Sequence, residues 1–264
     1  MLVRFCLVLI FVIAGCSGSG GLKYDSPEDA YTRGKIAFDE GKYLRAIELL
    51  RGSFDFGPTH EFAADAQLML ARAYAANKDH LLAANEFNRF IQIYRSDSRI
   101  QEAEYEYALT FLHRSPEYQL DQTDTEKAIR QFQLFIDKYP LSQFVPDAEI
   151  QIRALREKLG RKYYEAGRLY ERRSLFQAAA VTYESVFDRY PDTEWADDAL
   201  LGAVRVYIRY ADNSIEARQE ERYAKSVENY MRLTQLFPNS EATSTAKALI
   251  EAANLADVDI ASGS

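Results

Sequence analysis

Hydrophobic residues recur along most of the chain at spacings of three and four, which is the period of an amphipathic helix. In one such stretch Tyr43, Ile47, Leu50 and Phe54 fall on a single stripe. The alternating apolar and polar pattern of a half-buried strand is nearly absent, and no such run is bounded by turn residues. The chain is therefore predicted to be all α-helical.

The stretch 167–191 shows how these helices pair. Gly167 and Ala179 are small, and each is followed by a large residue, Tyr170 or Tyr183. Two antiparallel helices cross closely only where a side chain is small, and the large residue fills the gap beside the crossing. Pro191 lacks an N–H and ends the second helix. The pattern predicts a two-helix unit.

The same spacings recur in four further copies along the chain. Their positions are Gly34, Ala46, Leu50 and Pro58; Ala71, Tyr74, Ala83 and Phe87, with Arg95 in the place of the proline; Ala128, Phe132 and Pro140; and Ser226, Tyr230 and Pro238. A repeated helix pair of about 34 residues resembles the tetratricopeptide repeat. The predicted fold is an all-α, right-handed solenoid of about five such helix pairs with a C-terminal capping helix.

Breaks in the helical pattern predict the limits of each repeat. The repeats are predicted over about 26–59, 60–96, 98–141, 146–192 and 194–239, followed by a capping helix over 241–256 and a disordered tail over 257–264. Stacked helix pairs form one quasi-linear solenoid, so no domain break is predicted over 26–256. Ser115-Pro116 begins an insertion that ends at Gln122, and one long helix is predicted from Pro146 to about Arg173.

Helix starts are predicted from capping residues. Ser26 before Pro27 is a favoured N-cap. Ser98 and Thr123 each begin a stretch with capping-box spacing. Asn213-Ser214 is predicted to cap the second helix of the last repeat.

The N-terminal residues 1–15 have the pattern of a secretory signal peptide. The apolar core from Phe5 to Ile13 is too short for a membrane span. Ile13-Ala14-Gly15-Cys16 resembles a bacterial lipobox, in which the cysteine becomes the lipidated N-terminus. The alternative is an ordinary leader that contains a cysteine. Residues 16–25 are predicted to be the lipidated cysteine and a flexible tether.

Composition and motifs exclude several classes of function. The formal net charge of −8 is unsuited to sequence-independent nucleic-acid binding, which depends on Lys and Arg. Cys6 lies in the leader, so the mature chain keeps one cysteine and no intrachain disulfide is possible. His60, His80 and His113 lie in different segments without metal-ligand spacing. With no Gly-rich phosphate loop and no nucleophile elbow, the chain is predicted not to be an enzyme and to hold no metal.

Five segments together resemble the BamD family of outer-membrane protein assembly factors. They are Leu120–Asp124, Ala128–Phe132, Phe135–Pro140, the long helix across Leu155–Tyr164, and Asp188–Thr193. The resemblance covers essentially the whole mature chain. It implies a lipoprotein on the periplasmic side of the outer membrane, with N-palmitoyl and S-diacylglycerol groups on Cys16 and no other cofactor.

The same resemblance implies partners. In that family the protein works with the barrel protein BamA within the β-barrel assembly (BAM) complex, which also contains other lipoproteins. Its N-terminal repeats are thought to receive unfolded outer-membrane proteins, and its C-terminal repeats hold the periplasmic POTRA domains of BamA. The alternative function is that of another periplasmic repeat lipoprotein, such as an adaptor for cell-wall enzymes.

Two surfaces are candidate binding sites. The first is a peptide groove on the concave face, where aromatic, apolar and cationic residues suit an extended peptide ending in a carboxylate. Its predicted residues are Tyr31, Lys35, Phe38, Leu68, Arg72, Tyr105, Leu109 and Leu112. The alternative is that some of them pack between neighbouring repeats.

The second surface is basic. The segment Arg156–Arg173 carries seven basic and three acidic side chains in an otherwise acidic protein, and the family resemblance places the BamA contact in this half. The predicted partner-binding residues are Arg161, Arg168, Arg172, Arg173 and Arg189. The alternative is a solvated helix face with i,i+4 ion pairs.

Overall fold

A computed structural model describes residues 24–255 of the chain. In these residues it contains eleven α-helices and no strand. Residue contacts divide the chain into two compact units, the first through Asp79 and the second from His80 onward. The division falls between the two helices of the second repeat, and the predicted repeat bounds stay a prediction. The predicted signal peptide, Cys16, most of the predicted tether and the predicted tail over 257–264 lie outside the described residues.

The helices follow the predicted order. The first unit contains α1 (Pro27–Asp39), α2 (Tyr43–Gly52), a 3-10 turn (Ser53–Phe56) and α3 (Ala63–Ala76). The second unit contains α4 (His80–Ile93), α5 (Ile100–Arg114), α6 (Thr123–Lys138), α7 (Val145–Arg172), α8 (Phe176–Arg189), α9 (Ala196–Asp212), α10 (Glu216–Leu236) and α11 (Glu241–Ala252). The long helix and the non-helical insertion over 115–122 are confirmed.

In the first unit, α1 begins as its sequence predicts. The Ser26 side chain accepts a hydrogen bond from the Asp29 backbone N–H at 3.0 Å, and Pro27 occupies the first turn, where its missing N–H costs nothing. Gly34 then brings α1 against α2, since a Cβ on Gly34 would lie 2.8 Å from Leu50 Cγ. This is the small-against-large contact that the repeat spacing predicts.

The turns between the paired helices of the first, second and fourth repeats each use a left-handed residue. Gly41, Lys78 and Ser174 have φ of 72°, 67° and 56°, and each lies five residues before the small residue of the following helix. The next residue in each turn donates its N–H back across the helix end, as Leu175 does to the Tyr170 carbonyl at 3.0 Å. This Schellman arrangement pairs carbonyls that the helix end leaves unpaired. The third repeat has the insertion in place of this turn.

In the second unit each helix packs against the next in sequence, and α11 also packs on α9. Tyr183 of α8 is fully buried between two glycines, Gly167 of α7 and Gly202 of α9. A Cβ at either glycine would lie 2.7 or 2.8 Å from the ring. Ala179 is buried in the same cluster. The regular spacing of small and large residues therefore lets three helices pack closely here.

Three predicted caps are wrong. α5 begins after Arg99, whose backbone N–H donates to Asp97 Oδ1, so Ser98 is not its N-cap. Thr123 is already the first residue of α6, and Asp121 accepts from its N–H. Asn213 and Ser214 donate to carbonyls of α9 instead of capping α10. At the starts of α5 and α6, a nearby aspartate accepts the backbone N–H. At the start of α10, the predicted capping side chains instead bind carbonyls of the preceding helix.

Candidate functional site

In the first unit, the predicted groove residues Tyr31, Lys35 and Phe38 are accessible to solvent to different degrees. The Tyr31 ring stacks on Phe62 at 5.8 Å. Lys35 is exposed and pairs with Asp39 at 2.8 Å, one turn further along α1. The hydrogen bond and charge of Asp39 raise the pKa of Lys35. The surface therefore offers an aromatic ring and a cation that already has a carboxylate neighbour.

Two predicted groove residues are buried. Leu68 is 1% exposed and Tyr105 is 9% exposed. Tyr105 stacks on Phe144 at 4.8 Å and donates a hydrogen bond to Asp147, so it joins α5 to the start of α7. Both residues are corrected from groove to core, because they pack between neighbouring helices as the alternative interpretation allows.

The three other groove residues are half-buried. They are Arg72 of α3, and Leu109 and Leu112 of α5. The two leucines pack against the cluster of Tyr105, Phe132 and Phe135. Tyr31 and Phe38 are half-buried as well, so Lys35 is the one exposed side chain among the eight predicted groove residues.

The basic segment of α7 holds the insertion between α5 and α6. Lys162 Nζ donates to the carbonyls of Tyr118 at 3.0 Å and Leu120 at 2.8 Å. Lys158 Nζ donates to the carbonyl of Pro116 at 3.0 Å and to the Ser115 hydroxyl. Burial lowers the pKa of Lys158. These two lysines are therefore structural, a role that the count of charges in the sequence could not reveal.

The arginines of the predicted partner surface fall into two groups. Arg161, Arg168 and Arg189 lie over aromatic rings while remaining exposed, with Arg161 4.4 Å from the Tyr118 centroid and Arg189 4.7 Å from that of Tyr163. Arg168 also pairs with Glu165 at 3.1 Å. Arg172 and Arg173, at the end of α7, are exposed and form no ion pair with the described residues. The predicted surface is thus partly aromatic as well as basic.

Glu171, at the end of α7, is the centre of a polar cluster that the sequence analysis did not find. Arg205 donates to both of its carboxylate oxygens, at 2.7 and 2.9 Å, and the Tyr183 hydroxyl donates at 2.9 Å. Burial raises the pKa of Glu171, but the hydrogen bond and charge of Arg205, with Tyr183 and Arg209, outweigh it, and the pKa lies below its ordinary value. The only sequence signal is the spacing of 34 residues between Glu171 and Arg205, one repeat length.

An open cleft lies where α8 begins beside the end of α9. Its volume is about 580 Å3, and its walls include Leu175, Phe176, Val181 and Tyr210. Leu175 and Val181 are exposed apolar side chains. Cations surround the rings, with Arg209 5.0 Å from the Phe176 centroid and Arg222 3.6 Å from that of Tyr210. An apolar floor with a cationic edge suits a protein partner that presents apolar and acidic residues.

No catalytic arrangement is evident in residues 24–255. The rings of His80 and His113 stack at 4.9 Å. In this part of the chain, His, Cys, Asp and Glu side chains do not form a group of three that could hold a metal ion. No helix among the described residues has the length and apolar character needed to cross a membrane.

Comparison with known proteins shows the family. Residues 23–221 match the model of the family described as YfiO: Outer membrane lipoprotein. The chain belongs to the YfiO family. The matched region runs from just before α1 into the first turns of α10, so it includes the insertion, the whole of α7 and every helix from α1 to α9.

Curated relatives of this YfiO-family chain carry one name. The outer membrane protein assembly factor BamD of Caulobacter vibrioides is 25% identical over 74% of this chain, and the match covers 66% of that protein, just under two thirds of its length. The BamD protein of Vibrio cholerae is 25% identical over 88% of this chain and 96% of its own length. These names confirm the family resemblance that the sequence segments indicated.

Solved structures agree on the fold. A TPR repeats protein from Bacteroides fragilis matches with a TM-score of 0.50 and 15% identity, over 87% of this chain and 100% of its own. At this identity the likeness shows the fold alone. The all-α tetratricopeptide-type fold predicted from the sequence is thus confirmed.

Proposed function

We propose that the chain is a non-enzymatic lipoprotein subunit of the outer-membrane β-barrel assembly complex. The observation that carries the proposal is the family match over residues 23–221, together with relatives named outer membrane protein assembly factor BamD. The lipidated residue is Cys16, which carries S-diacylglycerol and N-palmitoyl groups and holds the protein on the periplasmic side of the outer membrane.

The second unit is proposed to hold a BamA-like barrel protein through its POTRA domains. The support is the exposed pair Arg172 and Arg173 together with the apolar cleft beside Val181 and its cationic edge. A partner with an acidic edge and a few apolar side chains would complement both features, and charge complementarity would speed and orient association.

The first unit is proposed to receive unfolded outer-membrane proteins. Tyr31 and Phe38 offer aromatic contact area, and Lys35 and Arg72 supply positive charge for a carboxylate at the end of an extended peptide. Because Lys35 already pairs with Asp39, a client carboxylate would have to compete with that i,i+4 pair. Such exposed pairs contribute little to stability because water and salt screen them, so the exchange costs little.

Co-purification tests this function. The full-length chain, tagged at its C-terminus, is purified from detergent-solubilised membranes, and the bound proteins are identified by mass spectrometry. We expect a large barrel protein with periplasmic repeat domains. Recovery should fall at least about tenfold for the Arg172→Ala/Arg173→Ala variant if these cations contact it through charged hydrogen bonds. The control is Arg153→Ala, which removes an exposed arginine from the same helix.

Two outcomes would contradict the proposal. Recovery of peptidoglycan enzymes without a barrel protein would indicate the adaptor for cell-wall enzymes. Recovery of the barrel protein at equal yield from all three forms of the chain would keep the function but move its contact away from the end of α7.

A further inference from the structure

The insertion between α5 and α6 is held in one conformation on α7. Lys158 and Lys162 bind four of its backbone carbonyls, those of Pro116, Tyr118, Gln119 and Leu120. The buried Gln122 side chain closes the loop from its other end by donating to the carbonyls of Glu117 and Leu120. A loop of eight residues that is tied at this many carbonyls fixes the position of the Tyr118 ring.

The fixed loop places Tyr118 on one side of an exposed arginine. The Arg161 guanidinium lies 4.4 Å from the Tyr118 centroid and 5.9 Å from that of Trp195. Trp195 is itself seated closely on α7, since a Cβ on Gly160 would lie 3.2 Å from Trp195 Cδ1. Tyr164 continues the row, 5.3 Å from Trp195. The four side chains form what we name the Arg161 surface: Tyr118, Arg161, Tyr164 and Trp195.

Arg161 differs from four other cations of α7, which already bind oxygen partners. Lys158 and Lys162 are used on loop carbonyls, Arg156 binds Asp192, and Arg168 binds Glu165. Arg161 forms no ion pair with a carboxylate of residues 24–255. The Tyr118 and Trp195 rings lie beside its guanidinium and restrict its orientation, while the side chain remains exposed, so its N–H groups are accessible to a ligand. This is the arrangement in which arginine binds a carboxylate with little loss of side-chain entropy.

The spacing on α7 suits an extended ligand. Arg161 and Tyr164 lie one helical turn apart, at about 5–6 Å between Cβ atoms. In an extended chain, residues i and i+2 point to the same side and are about 6.6 Å apart. A carboxylate at one position and an aromatic ring two residues away would therefore reach Arg161 and the exposed side of Tyr164 and Trp195 together.

We propose that the Arg161 surface binds an extended polypeptide segment that presents a carboxylate two residues from an aromatic side chain. The choice of an unfolded segment as the occupant rests on the proposed function, whereas the carboxylate and the ring follow from the surface itself. The second unit then recognises extended chain at a position separate from the cleft beside Val181 and from the end of α7.

A direct binding experiment uses the full-length chain in detergent. The probe is a blocked, fluorescently labelled ten-residue peptide in which aspartate and phenylalanine alternate with serine at i and i+2, with a matched peptide that has asparagine for aspartate. Anisotropy gives the affinity. Trp195 is the only tryptophan of the chain, so its intrinsic emission reports whether the unlabelled peptide binds beside it.

The expected results form a double-mutant cycle. Arg161→Met should weaken binding of the aspartate peptide at least about tenfold, the effect of one charge-assisted hydrogen bond. The asparagine peptide should bind wild type equally weakly, and Arg161→Met should bind both peptides alike, because each change removes the same interaction. Arg153→Met, an exposed arginine of the same helix, should bind as wild type does.

A separate variant tests whether the fixed loop over 115–122 is needed for binding. Lys162→Met should increase hydrogen exchange over 115–122 and weaken binding several-fold, whereas Arg161 itself is retained. Equal binding of both peptides by wild type, or unchanged binding by Arg161→Met, would overturn the proposal. Co-purification tests the proposed function independently of this binding experiment. If the chain co-purifies the barrel protein but does not bind the peptide, the proposed function stands and only the role of the Arg161 surface is wrong.

Discussion

At the scale of single residues, Glu171 links the first helices of two neighbouring repeats, α7 and α9. Its carboxylate is 12% exposed and receives Arg205, Arg209 and the hydroxyl of the buried Tyr183. A buried carboxylate without partners would be unfavourable, but here its oxygens accept several hydrogen bonds. The cluster therefore orients α7 against α9 as well as satisfying its own charges.

Removing that charge should lower stability in a pH-dependent way. Glu171→Gln should cost about 1.5–3 kcal/mol of unfolding free energy at neutral pH, the range for a hydrogen bond to a charged group. Because the folded-state pKa of Glu171 is lowered, its contribution is complete above the ordinary value of about 4.3 and is lost as pH falls through the folded value. Urea unfolding of both proteins between pH 3 and 7 measures the difference.

Glu165→Gln is the matched control for this measurement. Glu165 lies on the same helix and pairs with Arg168 at the surface, so its loss should cost less than about 1 kcal/mol. A difference between wild type and Glu171→Gln that stays constant down to pH 3 would show that the charge of Glu171 is not what stabilises the cluster.

At the scale of helices, α7 and α8 cross closely at Gly167 and Ala179. Ala179→Leu should overpack this crossing, where Gly167 and Gly202 leave room only for the Tyr183 ring, at a cost of about 1–3 kcal/mol. Hydrogen exchange should rise most in α7, α8 and α9, because a repeat contacts mainly its neighbours.

Ala178→Leu provides the comparison on the same helix. Ala178 is exposed, so a leucine there adds apolar surface without entering the crossing, and exchange in α7 should stay as in wild type. If Ala179→Leu behaved like Ala178→Leu, the assignment of Ala179 to the closest approach would be wrong.

The sequence predicted the helices well because their cause is local. Small and large residues at fixed spacing, and prolines at helix ends, act within one repeat, so Gly34 and Gly167 were found without the structure. Gly202 was missed because its partner Tyr183 lies on another repeat helix. The capping residues Ser98 and Thr123 were misjudged because a nearby aspartate accepts a backbone N–H at each helix start, that of Arg99 for Asp97 and that of Thr123 for Asp121.

The candidate site was less predictable than the fold. Counting from the small positions of the first helix in each repeat placed Leu68 and Tyr105 in a groove, but those helices are buried on more than one face. Charge counting likewise grouped Lys158 and Lys162 with Arg161, although the lysines bind loop carbonyls and the arginine does not. Which residues share a face depends on contacts between elements distant in sequence.

At the scale of the whole molecule, the two units carry different chemistry. The accessible groove residues of the first unit combine Tyr31 and Phe38 with a lysine already paired to Asp39. The second unit combines arginines with aromatic rings, at Arg161, Arg189 and Arg222 among others. This difference matches the division of labour proposed above, in which the first unit would receive a client and the second would bind a partner and extended segments.

The proposed lipid anchor at Cys16 would determine how the whole molecule is held at the membrane. One acyl chain binds a bilayer only marginally, whereas two or more hold a protein stably. The Ile13-Ala14-Gly15-Cys16 motif would add several chains at a single residue. The anchor would then be independent of the helices, which begin at Pro27.

Replacing Cys16, the residue proposed to carry the lipid, should therefore release the protein without unfolding it. Cys16→Ser should move the chain from the membrane fraction to the soluble fraction, with unchanged helical circular dichroism. Cys6→Ser is the control, because Cys6 lies within the leader and its loss should leave the mature protein on the membrane. Fractionation followed by a high-salt wash distinguishes lipid from protein contacts. If Cys16→Ser stays with the membranes after that wash, contacts of the folded units with a membrane protein hold the chain there, and the cysteine is not its anchor.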